Sequence, residues 1–250
     1  MGVLIRVKSA GFESSAVAFI PPISDGLEYW NFFGGGASKA ARNLASNKPG
    51  GVVVGNPVYG EHSAVFTGQS AYIQTGVEDS ADMTLIAVAK PISDAGAHIV
   101  SSFSGQRANG ATGVSLGKTL WFTNGGQDGD GLAQMVATQG RWSGVSGSAS
   151  LSVTSGTLGL PINQWVAVTA LMGATSNQIK NNSSGFVDTD TPTGVTDPST
   201  LRLRVGSATV AGASSEIAFV AAYSRLLSMA EVDAIYAFLK KYYARRGIAI

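Results

Sequence analysis

Residues 214–247 read SSEIAFVAAYSRLLSMAEVDAIYAFLKKYYARRG, and the apolar spacing changes inside them from a strand's to a helix's. Ile217, Phe219, Ala221 and Tyr223 recur at every second position, an inward row of a β-strand. After Ser228 the spacing becomes helical: Met229, Val232, Ile235, Tyr236, Leu239 and Tyr243 form one stripe. Ser228 with Glu231 is a capping box, in which each side chain satisfies a backbone N–H that the helix leaves free. Leu227 and Val232 stand where a hydrophobic staple sits. Glu231 and Asp233 lie near the positive end of the helix dipole, and Lys240, Lys241, Arg245 and Arg246 near the negative end. Gly247 supplies the stop. Each basic residue thus has a local role, and a membrane or polyanion partner is not needed to account for them.

Upstream of this stretch, short apolar segments are bounded by Gly, Ser, Asn, Asp and Pro. In Met83–Lys90, Met83, Leu85, Ala87 and Ala89 face one way and Thr84, Ile86, Val88 and Lys90 the other. Both faces are mostly apolar, which predicts a central strand. Trp165–Leu171 reads the same way. Leu201, Leu203 and Val205 alternate with Arg202 and Arg204, so that strand has one wet face. Roughly a dozen strand candidates at regular spacing predict a sandwich or barrel. The expected fold is all-β, a two-sheet antiparallel jelly-roll sandwich with one C-terminal amphipathic helix. Val3–Val7 and Ala16–Ile20 read as short strands, after which Pro21 and Pro22 interrupt pairing. Residues 1–30 are therefore expected to be an arm or anchor, and residues 31–250 the sandwich.

Composition narrows the function. Of the 250 residues, 13% are charged, 32 are glycine and none is cysteine. Disulfides and thiolate metal sites are excluded. A net charge of +1 with no basic block before the last helix argues against nucleic-acid binding. The start, MGVLIRVKSAGFESS, lacks the apolar core of a signal peptide. No apolar run reaches the roughly 18 residues of a membrane span.

Four pieces then occur in a familiar order: AVFTGQSAYIQTG (64–76) around Gly68, DMTLIAVAKP (82–91), NQWVAVTALM (163–172) around Trp165, and the closing segment with Arg225, Leu227, Ser228, Glu231 and Val232. Together they resemble the concanavalin A-like lectin/glucanase superfamily, in particular its laminin-G-like and pentraxin-like jelly rolls. The resemblance implies an early strand pair at Gly68, a core strand after it and a core tryptophan at Trp165. Compact members without cysteine resemble bacteriophage tail-fibre and other virion components that bind surface glycans or neighbouring subunits. The E-x-D-x-E cluster of the glycosidase branch is missing.

Chemistry-bearing residues are few. A glycosidase places two carboxylates roughly 5–9.5 Å apart; the acids here, Asp79, Asp82, Asp94, Asp128, Asp130, Asp188, Asp190 and Asp197, mostly sit in turns, and only convergence of two from different loops would supply such a pair. Only His62 and His98 are available for histidine chemistry, in no metalloprotease spacing. GVSLGKT (113–119) misses the P-loop pattern by one glycine and precedes a strand. NGGQDGDG (124–131) offers Asp128 and Asp130 as oxygen ligands for a calcium ion, although a glycine-rich turn explains the same residues. Trp121 and Trp142 flank this loop, with Asn124, Asp128, Asp130 and Arg141 near them in sequence. Aromatic faces beside planar polar groups would make a glycan site on the sandwich rim. The expectation is a non-catalytic, lectin-like recognition or assembly protein of a phage particle or otherwise extracellular setting. Its partners would be a glycan or neighbouring virion subunits, and it would assemble as a homo-oligomer, with no cofactor beyond that calcium. The alternatives are a structural capsid or tail subunit that binds no sugar, and a carbohydrate-active enzyme.

Overall fold

The computed structural model describes residues 19–124, 131–145, 150–155, 159–210 and 212–250. The strand candidate at residues 3–7, and most of that at 16–20, lie outside them. In chain order the strands are β1 (Leu27–Phe32), β2 (Val52–Val54), β3 (Val58–Tyr59), β4 (Ala64–Thr67), β5 (Tyr72–Gln74), β6 (Met83–Pro91), β7 (Ala97–Ser101), β8 (Gly105–Gln106), β9 (Val114–Ser115) and β10 (Lys118–Asn124). There follow β11 (Leu132–Trp142), β12 (Ser150–Ser155), β13 (Leu160–Pro161), β14 (Val166–Met172), β15 (Asn177–Asn181), β16 (Val187–Asp190), β17 (Val195–Thr196), β18 (Arg204–Val205) and β19 (Ser214–Tyr223). The helices are α1 (Ala37–Ala40) and α2 (Met229–Ala244).

Two antiparallel sheets face each other. The first runs β16–β15–β14–β6–β19–β4–β3, with β1 also paired to β19. The second runs β12–β11–β10–β7–β18–β5–β2, with β13 and β17 also on β11. As its double apolar pattern predicts, β6 is central, between β14 and β19. Met83, Leu85, Ala87 and Ala89 join the core between the sheets, whereas Ile86 and Val88 pack outward beneath α2. The result is three layers: helix, sheet, sheet.

β19 departs from simple alternation. Its register slips between Ile217 and Phe219. Ile217 therefore faces the inter-sheet core with Val220 and Ala222, and Phe219, Ala221 and Tyr223 turn to the helix layer. The single inward row expected from the sequence is split by a bulge at Ala218. That bulge frees a carbonyl, to which Phe33 N–H and the Tyr243 hydroxyl both donate at 2.8 Å.

The boundary expected at residue 30 falls inside β1, which pairs with β19 and buries Tyr29 and Trp30. Residues 27–30 thus belong to the sandwich. The strand pair expected at Gly68 is also different. β4 and β5 meet only at a bridge between Thr67 and Ala71 and then enter opposite sheets. A Cβ on Gly68, at φ 42°, would stand 2.6 Å from the Gly212 carbonyl, so a residue without a side chain makes the crossing. Trp165 is half-buried against the helix layer, with Lys90 Nζ 4.9 Å from its ring centroid. The fully buried tryptophan is Trp30.

α2 begins where the capping box places it, with both reciprocal bonds between Ser228 and Glu231 present. Val232, Ile235, Leu239 and Tyr243 are buried against the first sheet. Arg225 grips the Glu231 carboxylate with two nitrogens, at 2.6 and 3.1 Å. This bidentate bond, reinforced by the Ser228 N–H, lowers the Glu231 pKa to about 2. A depressed carboxylate stabilises the fold fully above its ordinary pKa and loses that contribution as pH falls through the folded value. The Glu231 anchor is therefore expected to persist through ordinary carboxylate titration and release near pH 2. A carbon-13 NMR titration checks this: the Glu231 midpoint should lie near 2 and return towards 4.5 in Arg225→Gln.

Candidate functional site

Of the residues singled out around the 124–131 loop, the described ones, Trp121, Asn124, Arg141 and Trp142, do not assemble into one site. Trp121 on β10 pairs with Val136 on β11, and Trp142 lies six residues farther along that strand. At about 3.3 Å per residue the two tryptophans are roughly 20 Å apart. Trp121 stacks on His98, with ring centroids 5.6 Å apart and planes at 15°. Burial lowers the His98 pKa to about 4, so that imidazole is neutral at neutral pH. Trp142 is committed elsewhere: its Nε1 donates to the Val145 carbonyl at 2.8 Å, and the Arg107 guanidinium sits 4.8 Å from its ring centroid. Asn124 ends β10, opposite Ala133. Asp128 and Asp130 lie outside the described residues, and with them the expected calcium loop. Among the described residues no three His, Asp or Glu side chains gather as a metal site, and no helix is long and apolar enough to cross a membrane.

Arg141 is the clearest correction. It faces inward and is 2% exposed. Nη1 donates to Gly173 O, Nη2 to Ala174 O and Gly194 O, and Nε to Thr193 O. A guanidinium whose donors close the ends of the β14–β15 and β16–β17 connections is a structural clamp. Burial pulls its pKa below the ordinary value, opposed by the charge of Asp190.

Arg141 belongs to a polar plug that fills one end of the interior. Lys118 shares its face of β10 with the buried Leu120 and Phe122, and Gln139 and Arg141 share theirs on β11 with Met135 and Ala137. Lys118 Nζ lies 3.2 Å from Asp79 Oδ1, and Arg107 Nη1 lies 3.0 Å from Asp197 Oδ2, with all four side chains essentially out of contact with solvent. Asp79 Oδ2 accepts from Ser102 Oγ at 2.8 Å and Ser199 N–H at 3.0 Å. The Asp197 pKa is raised by burial and by the Asp79 charge, while Arg107 and Lys118 pull the other way. Two carboxylates from distant turns do converge, but each is held by a cation and shielded from solvent.

The plug supports an open groove of about 410 Å³ on the outside of the second sheet. Gln74, Thr75 and Gly76 form its floor, following β5. Pro49, Gly50 and Val52 line one side, Thr200, Leu201 and Arg202 the other. Glycine permits the close approach: a Cβ on Gly76 would stand 2.8 Å from Pro49 Cγ. Thr75 N–H and Oγ1 both donate to the Leu203 carbonyl, at 3.0 and 2.7 Å. The Asp79–Ser199 bond ties the same two segments one turn deeper. Apolar Pro49, Val52 and Leu201 thus line the groove together with Gln74, the exposed Thr200 and Arg202, while the Thr75 hydroxyl is turned to the Leu203 carbonyl. No local motif marks this groove, because its three segments are far apart in sequence. The alternation at 201–205, which puts Arg202 and Arg204 outside, was the readable part.

No family model and no curated protein matches the chain. Solved structures do. The binding domain of botulinum neurotoxin DC in complex with SialylT aligns with a TM-score of 0.57 at 10% identity, over 86% of this chain and 52% of that one. Trypanosoma rangeli sialidase in complex with sialic acid aligns with a TM-score of 0.56 at 12% identity, over 87% of this chain and 33% of that one. The chain is a two-sheet β-sandwich domain. It spans about half of the toxin structure and a third of the sialidase, and at such identities the likeness concerns the fold alone.

Proposed function

We propose that the chain is a non-catalytic, lectin-like recognition domain that binds a saccharide in the groove between Pro49–Val52 and Thr200–Arg202. The observation that carries this reading is the groove itself, an open concavity lined by apolar Pro49, Val52 and Leu201 and by Gln74, Thr200 and Arg202. Sugars present such alternating C–H and hydroxyl surfaces. Support also comes from the two structural neighbours, one solved with SialylT and the other with sialic acid. A non-catalytic role agrees with the neutralised, solvent-shielded Asp79 and Asp197, since a glycosidase needs both acids at the scissile bond. The resemblance to phage tail-fibre proteins extends the proposal to a place on a virion, which mass spectrometry of purified particles tests.

The binding test is a glycan array followed by titration calorimetry. Thr200 is exposed, so Thr200→Trp fills the groove without disturbing the core. It is expected to weaken saccharide binding at least tenfold, while Trp121→Ala leaves it unchanged. Binding that survives Thr200→Trp and vanishes with Trp121→Ala would move the site to the His98 stack. Release of reducing ends from a bound polysaccharide would overturn the non-catalytic reading.

A further inference from the structure

The two arginines beside the groove are held very differently. Arg204 Nε donates to Gln74 Oε1 at 3.1 Å, its Nη1 donates to Ala208 O at 3.2 Å, and its guanidinium lies 5.0 Å from the Tyr72 ring centroid. Its hydrogen-bonding capacity and its stacking face are largely committed. Arg202 lines the groove, and its charged contact is Glu78 Oε1, 3.6 Å from Nη2. That separation is beyond hydrogen-bond range, and the side chains are 57% and 79% exposed. Arg202 therefore presents an available guanidinium fork to the groove, with a loosely held carboxylate as its resting counter-ion.

We infer that the groove selects saccharides bearing a carboxylate, which docks on Arg202 and displaces Glu78. This rests on the groove being the saccharide site. A guanidinium offers two parallel N–H donors at the spacing of a carboxylate's oxygens, which an ammonium does not reproduce. The exposed Thr200 hydroxyl can meet a ring hydroxyl, whereas Thr75 Oγ1 and the Gln74 amide are already engaged with the Leu203 carbonyl and Arg204 Nε. The Glu78 contact costs little to break, because an exposed, screened pair of this length contributes little. Glu78 then acts as an internal competitor, a weak one that yields to a ligand making two good bonds.

The test is calorimetric titration with matched saccharide pairs: sialyllactose against lactose, and glucuronate-ended oligosaccharides against their methyl esters, with a sulfated lactose as a further arm. The expected result is that at least one carboxylate sugar binds about tenfold or more tighter than its uncharged partner, the scale of a charge-assisted bidentate contact. Arg202→Ala and Arg202→Lys should both erase that difference, the second because it keeps the charge but loses the fork. Glu78→Gln should tighten acidic sugars about two- to fivefold and leave neutral ones alone. Equal binding within every pair, or a preference that survives Arg202→Ala, overturns the inference while groove-dependent binding still sustains the proposed function. Preference for the sulfated sugar over both carboxylates likewise overturns it. Binding of no saccharide at all, acidic or neutral, removes the proposed function and this inference with it.

Discussion

Asp79→Ala is expected to destabilise the domain by about 3–5 kcal/mol, the cost of removing one partner from a buried ion pair. The loss is large because three groups depend on this carboxylate: the Lys118 ammonium, the Ser102 hydroxyl and the Ser199 N–H. Truncation strands a charge and two donors where water does not reach. Ser199 leads directly into Thr200–Arg202, so the groove should loosen along with the fold. Urea denaturation followed by circular dichroism gives the free energy, and titration of the variant gives the groove. The double substitution Asp79→Leu with Lys118→Met separates pairing from packing. It removes both charges, and replacing a buried pair by apolar groups of similar size is often neutral. It should recover much of the stability lost in the single variant, short of full recovery because the Ser199 N–H remains without an acceptor. A single variant within about 1 kcal/mol of the wild type would mean that water reaches the plug, since only solvation could replace the lost carboxylate.

The same plug shows which kinds of information the linear sequence carries. Local rules were legible: the capping box at Ser228 and Glu231, the stripe from Val232 to Tyr243, and the doubly apolar β6 all fold as their spacing dictates. Alternation also contained the plug, since Lys118, Gln139 and Arg141 sit at inward positions among apolar neighbours. The usual exposure of Lys and Arg pointed the other way, and Arg141 was assigned to the rim. What reverses that preference is partners from far along the chain, Asp79 for Lys118 and the carbonyls at 173–174 and 193–194 for Arg141. The bulge at Ala218 is similar. Nothing within β19 announces it; its carbonyl is used by Phe33 and Tyr243, from the two ends of the chain. The aromatic run Tyr29–Phe33 was visible, yet its membership of the sandwich depends on pairing with β19, nearly two hundred residues away.

Trp30→Ala is expected to cost about 3–5 kcal/mol, the range for deleting a large aromatic from a core, and to act chiefly on the helix layer. Trp30 is fully buried and contacts four other aromatic rings. Phe219 lies edge-on at 4.7 Å, Phe238 of α2 at 6.0 Å, and Phe19 and Phe32 at 5.4 and 6.2 Å. It therefore joins β1, β19, α2 and the segment before β1 through one side chain. Its removal leaves a cavity that the sheet cannot close, because β6, β14 and β19 are fixed from below by the inter-sheet core. The helix can move instead. Amide hydrogen exchange should accelerate along α2 by more than along β6, although both belong to the same domain. Trp165→Ala, at a half-buried position, should cost distinctly less. Trp30→Phe supplies the sharper comparison. The buried indole N–H of Trp30 has no hydrogen-bond partner among the described residues, so its desolvation weighs against the native state. Phenylalanine gives up part of the ring and also that burden, and should retain most of the stability that alanine loses. If phenylalanine proves as costly as alanine, the N–H is meeting an acceptor in solution, and the aromatic cluster is anchored by a hydrogen bond as well as by packing.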